Sequence, residues 1–129
     1  MLANGCFDIL HYGHLLYLQE AASMGDRLVV SVTRDRSVNK GPGRPVNPQG
    51  NRVALIRALR CVNDALLVDE PIEAMQLVRP DIFVKGQDYR NTIRPIDRAY
   101  CEAHGIEIRF TNTPMYSATK IINDRLRNG

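Results

Sequence analysis

Five short apolar runs, at 1–5, 28–32 (LVVSV), 65–68, 81–84 and 106–110, alternate with stretches whose apolar residues recur at helical spacing. Short β-branched runs of this kind read as strands buried on both faces, and strands separated by helices pair in parallel through right-handed crossovers. The alternation therefore restricts the fold to α/β, a doubly wound five-stranded parallel sheet with helices on both faces. The helices centre on Leu15, Leu18 and Ala22, and on Val53, Ile56 and Leu59. A third follows Pro71, at a favoured first-turn position, and carries Ile72 and Met75; a fourth covers 96–103. The fifth is 117–126 (SATKIINDRL), with Ser117 placed to cap and Ile121, Ile122 and Leu126 to pack.

A chain of 129 residues, 44% hydrophobic and 24% charged, reads as a single soluble domain over 1–129. It contains no apolar stretch of membrane-spanning length and no secretory leader, so a cytoplasmic location with no membrane partner is expected. A net charge of +3 without a basic run or lysines interleaved with aromatics argues against nucleic acid and suits a small anionic ligand. Cys6, Cys61 and Cys101 are odd in number and far apart, which points to neither a disulfide framework nor a zinc site. Two segments follow neither period: 34–51, rich in Gly and Pro, and 85–95 (KGQDYRNTIRP). Both come after strands, at the edge where ligands of such sheets bind.

Residues 4–14 read NGCFDILHYGH, between the first strand and the first helix. With the helix starting at Gly13 or His14, both histidines stand at a helix N-terminus, where unpaired amides and the helix dipole attract anions. Two imidazole donors beside those amides suit phosphate oxygens, and Gly5 and Gly13 let a ligand come close to the backbone. Two alternatives stand beside this: one histidine caps or packs while the other is merely exposed, or the pair binds a metal, for which acidic or cysteine partners are missing.

GCFDILHYGH resembles the signature G-[TVC]-F-D-x-x-H-x-G-H of the cytidylyltransferase-like nucleotidyltransferases, with Cys6 where Thr or Val is common. The resemblance extends along the chain: GPGRPVNPQGNR and VKGQDY are similar to the loop and the VKGGDY of heptose-phosphate adenylyltransferases, and SATKII to the family's C-terminal S-T-T-[KN]-I. It implies a Rossmann-like sheet and in-line transfer of a nucleotidyl group from a triphosphate to a phosphorylated acceptor, with release of pyrophosphate and no covalent enzyme intermediate. It assigns catalysis to His11, His14, Lys40 and Arg44, the last two closing over the phosphates on a mobile loop. Nucleotide contacts fall to Asn4, Gly5, Cys6, Phe7, Gly13, Lys85, Gly86, Asp88, Tyr89, Ser117, Ala118, Thr119 and Lys120. Mg²⁺ is the expected cofactor, held on the triphosphate by phosphate oxygens and water rather than by protein side chains. Homodimers are frequent in the family. Asp8, grouped with the acceptor site, could support the metal through water or brace the turn, and bracing is favoured.

The nucleotide is less directly marked. The two loop motifs are similar to enzymes that use ATP, whereas Arg52 and Arg60 match a pair that binds acceptor phosphate in glycerol-phosphate cytidylyltransferases. Eight residues apart on a helix, they would stand about 12 Å apart along one side, within joint reach of an anion. Asn112 replaces an arginine of the cytidylyltransferase pattern. The expectation is CTP with a small phospho-alcohol or hydroxyalkyl-phosphonate, such as glycerol-3-phosphate or 2-hydroxyethylphosphonate. The alternative is a heptose-1-phosphate adenylyltransferase using ATP, and a third reading is a nucleotide-binding module without turnover. The chain is also compatible with one domain of a longer bifunctional protein, since heptose enzymes of this kind often occur fused to a kinase and phosphonate enzymes to a mutase.

Overall fold

The computed structural model describes residues 1–87, 90 and 92–112. Strands β1 (Leu2–Gly5), β2 (Val29–Thr33), β3 (Asp64–Val68), β4 (Ile82–Lys85) and β5 (Glu107–Phe110) form one parallel sheet in the order β3-β2-β1-β4-β5. Helices α1 (Tyr12–Ala22), α2 (Gln49–Arg57), α3 (Pro71–Val78) and α4 (Pro95–His104) fill the crossovers, with a 3-10 turn at Asp35–Ser37. The expected helix at 117–126 lies outside the described residues.

Alternate strand residues feed opposite cores. Ala3, Val30, Val32 and Val84 pack with Tyr17, Leu18 and Ala21 of α1 and Val53 and Ile56 of α2. Their neighbours Leu2, Val29 and Phe83 pack on the other face with Ala74 and Met75 of α3 and Cys101 of α4. Leu18, Ile56 and Phe83 are completely buried, each contributing about 1.5–3 kcal/mol by removal from water. Tyr17 carries its hydroxyl into the interior and donates it to Val84 O at 2.6 Å, which ties α1 to β4.

Helix ends follow local chemistry. Pro71 and Pro95 sit in first turns, where a missing N–H costs nothing, and α3 and α4 end on the left-handed residues Arg79 (φ 52°) and Gly105 (φ 67°). α2 begins at Gln49, inside the stretch expected to be loop: Pro48 supplies an extended cap, and its carbonyl accepts from Asn51 and Arg52. The strand order reverses beside β1, because the chain winds outward to β3 and then returns to place β4 on the other side. The carboxyl ends of β1 and β4 thus border the crevice where doubly wound sheets take ligands.

Candidate active site

After β1 the backbone turns sharply at Phe7, which has φ 52°. The Phe7 ring is buried and folds back beneath Gly5, where an added Cβ would meet ring carbons at 2.8 Å. Gly5 therefore makes room for Phe7, and it also lines a cavity at the end of β1. The ring also meets His14 edge-on, with centroids 5.1 Å apart, so this side chain is packed inward and supports an imidazole.

Both histidines take part in one cap. His11 is the extended residue before α1; its Nδ1 accepts from Gly13 N–H at 3.1 Å, and His14 Nδ1 accepts from His11 N–H at 3.3 Å. The rings stack with centroids 3.7 Å apart. This is the reciprocal capping box that Ser and Glu usually make, built from two imidazoles. An Nδ1 that accepts a hydrogen bond carries no proton, so each neutral ring bears its hydrogen on Nε2, as a donor. His14 stays neutral: burial, then its neighbours His11 and Lys40, lower its pKa to about 3. Capping and anion donation, opposed as alternatives from sequence, use opposite ring edges.

The segment 41–47 is pinned rather than loose. Asp8, completely shielded, accepts from Val46 N–H at 2.7 Å and Asn47 N–H at 3.0 Å on one carboxylate oxygen and from Arg44 Nε on the other. Burial pushes its carboxyl up, but the Asn47 amide, the Arg44 guanidinium and the Val46 amide outweigh this and hold it below the usual range. Asp8 thus braces the turn, and its engaged oxygens do not fit an acceptor or a metal. Gly41 and Gly43, at φ 95° and 76°, allow the tight path.

Arg52 is also fully buried. Its guanidinium donates to Cys6 O at 2.8 Å, Thr33 O at 2.7 Å and Asn47 O at 3.0 Å, and pairs with Asp35 at 2.6 Å. This joins the ends of β1 and β2 to the loop and leaves Arg52 turned away from any acceptor. α2 ends at Arg57, and Arg60 lies exposed beyond it. The expected clamp of two arginines on one helix face is not formed, because the buried carbonyls take the first arginine and the helix stops before the second.

A cavity of about 220 Å³ opens at the carboxyl ends of β1, β2 and β4, lined by Asn4, Gly5 and Cys6, by Thr33 and Ser37, and by Lys40 and Lys85. Lys40, in the loop after β2, and Lys85, the last residue of β4, face one small volume, which is a concentration of positive charge suited to an anion. Burial pushes the Cys6 thiol up, with Lys40 and Arg52 opposing, so it is a protonated wall residue and not a nucleophile. Asn4 is oriented by a bond from its amide to Ser31 Oγ at 2.7 Å. Thr33 and Ser37 escaped the sequence reading; their place at the start of a long polar loop after a strand was the available signal. Gly86 is buried just past β4. Asp88, Tyr89, Ser117, Ala118, Thr119 and Lys120 lie outside the described residues. Among the described residues, no three His, Cys, Asp or Glu side chains stand together as a metal cage, and no helix is long and apolar enough to cross a membrane. A wider cavity of about 490 Å³, lined by Met75, Arg79, Tyr100 and His104 among others, lies at the opposite end of the sheet, away from His11 and His14.

Residues 2–124 match the family model described as cytidylyltransferase-like. The chain is 39% identical over 132 residues to the bifunctional protein HldE of Ectopseudomonas mendocina, covering 99% of this chain and 28% of that protein. It is 48% identical over 93 residues to HldE of Campylobacter fetus, covering 69% of this chain and 20% of that one. The chain thus spans about a quarter of the length of these curated relatives. Among solved structures, a lipopolysaccharide core biosynthesis protein from Thermoplasma volcanium superimposes with a TM-score of 0.72 and 32% identity, covering 90% of this chain and 96% of that one. These relatives overturn the expected CTP-dependent enzyme of small phospho-alcohols or phosphonates: similarity along the whole chain runs to HldE proteins, in line with the alternative that the loop motifs carried.

Proposed function

The chain belongs to the cytidylyltransferase-like family of nucleotidyltransferases, and from that premise we propose that it transfers the adenylyl group of ATP to a sugar 1-phosphate of the heptose type, releasing pyrophosphate. The observation that carries the phosphate chemistry is the pair Lys40 and Lys85 on one cavity at the carboxyl ends of β1, β2 and β4, with Lys40 also near enough to His14 of the α1 cap to act on its charge. The choice of ATP and heptose 1-phosphate rests on GPGRPVNPQGNR, VKGQDY and the similarity to HldE proteins.

In this reading the substrate is ATP with its Mg²⁺, bound through phosphate oxygens. An oxygen of the acceptor phosphate attacks the α-phosphorus in line, the bond to the β-phosphate oxygen breaks, and pyrophosphate leaves. No protein nucleophile is needed, so the protein's part is to position two anions and offset the charge that grows on the phosphoryl oxygens. His14, held neutral, and His11 supply Nε2–H donors, the first amides of α1 add their dipole, and the two lysines offset the triphosphate. Homodimers and a cytoplasmic setting complete the reading; light scattering at twice 14.6 kDa checks the first.

The purified protein with Mg²⁺ is expected to release pyrophosphate from ATP when heptose 1-phosphate is added, and not from CTP with glycerol-3-phosphate or 2-hydroxyethylphosphonate. Nucleotide binding without pyrophosphate release from any pair would make the chain a non-catalytic module and remove the proposal.

A further inference from the structure

The 3-10 turn Asp35–Ser37 leads from β2 into Lys40, and it is gripped from two sides. From within, Arg52 pairs with Asp35 at 2.6 Å and Gln49 Oε1 accepts from Asp35 N–H at 2.9 Å. From without, the carboxylate of Asp69, just past β3, takes the Arg36 guanidinium as a two-pronged fork, Nε at 2.8 Å and Nη2 at 2.6 Å. It also accepts from Ser37 Oγ at 2.7 Å and Arg34 Nη1 at 3.0 Å, and Arg34 reaches on to Glu73 at 3.1 Å. One carboxylate therefore holds three side chains of this turn and its approach, Arg34, Arg36 and Ser37, while Arg34 N–H donates to Val68 O and fixes the same junction through the backbone.

This network is poorly placed to stabilise the fold. Arg36 is 73% exposed, and pairs of that kind contribute little to stability. Its geometry is what stands out, since a fork plus a hydroxyl specifies orientation in a way a single charge contact does not. Ser37 and Lys40 line the same cavity, three residues apart, so an orientation imposed on Ser37 passes to the lysine.

We propose that Asp69 is a positioning residue: by gripping Arg36 and Ser37 it sets the turn so that Lys40 stands over the phosphate cavity. This rests on the phosphate reading of that cavity. It adds an acidic residue, which never touches substrate, to a site otherwise built of cations and amides.

The test is a double-mutant cycle on ligand affinity, measured by calorimetry on the full chain with Mg²⁺·ATP and with tripolyphosphate. Asp69→Asn is expected to weaken both ligands roughly 5- to 10-fold, whereas in a Lys40→Ala background the same change should have no further effect. Arg36→Gln, at a site exposed enough to spare the core, should reproduce this pattern and serves where Asp69→Asn folds poorly. Wild-type affinity in Asp69→Asn and Arg36→Gln, or losses that multiply with that of Lys40→Ala, would overturn the positioning role. Wild-type protein that binds neither ligand would instead sink the phosphate reading, and this proposal with it.

Discussion

Because Nδ1 of each histidine is occupied by a backbone N–H, capping and donation can be separated by substitution. Asn is among the best cap residues, so His11→Asn is expected to keep the stability of α1, and His14→Gln retains a side-chain acceptor at the third helical position. Each removes an imidazole donor, and the loss of such a donor from a water-poor site lowers kcat about 100- to 1,000-fold. Ala at either position should lose the rate and also about 1 kcal/mol of stability. Steady-state kinetics beside urea titrations check this; Asn and Gln variants with full rates would remove the histidines from the reaction. The same geometry sets an acid response. Between about pH 3 and 6.5 the unfolded chain takes up a proton at His14 that the folded chain excludes, so stability rises with pH across that window and this residue adds no slope above it. Urea midpoints between about pH 4 and 6 should therefore depend on pH less steeply in His14→Gln than in wild type. Asp8 adds a second loss, confined to pH below its ordinary carboxylate range.

At the scale of elements, the polar stretch after β2 reads from sequence as a mobile lid, and in the structure it is a docked strap. The difference lies in partners that pattern alone does not reveal: Asp8, within the histidine motif, meets Arg44, Val46 and Asn47 roughly 40 residues away, and Arg52 turns inward to carbonyls of β1 and β2. Periodicity locates strands and helices because it reports on neighbours in sequence, but ion pairs across that separation leave no such trace. Asp8→Ala would strand two amides and a guanidinium in a buried place, at a cost of about 3 kcal/mol or more. The strap should then come loose, and trypsin should cut after Lys40 much faster than in wild type, which mass spectrometry of a brief digest would detect. Unchanged cleavage and an unchanged urea midpoint would show that Asp8 does not hold it.

For the molecule as a whole, the parallel sheet and its two covered faces were legible in the alternation of runs, and the signature placed the histidines at its mouth. Sequence spacing misled where it assumed one continuous helix from Arg52 to Arg60, and with that helix goes the phospho-alcohol clamp that favoured CTP. The nucleotide can be read from global stability, because a ligand that binds only the folded state stabilises it by RT ln(1 + [L]/Kd), about 2.7 kcal/mol at 100 times Kd. For a domain of 129 residues that amounts to a rise in Tm of roughly 5–10 °C. Mg²⁺·ATP should produce such a rise at concentrations where Mg²⁺·CTP produces little; the triphosphate is shared, so any difference between the two reports on the base. Lys40→Ala should shrink the response to ATP without lowering the Tm of the free protein, as an exposed lysine contributes little to the fold. Equal shifts with both nucleotides would assign all recognition to the phosphates and leave the preference for ATP without a basis in binding. A larger shift with CTP would reverse the nucleotide assignment while leaving the phosphate site in place.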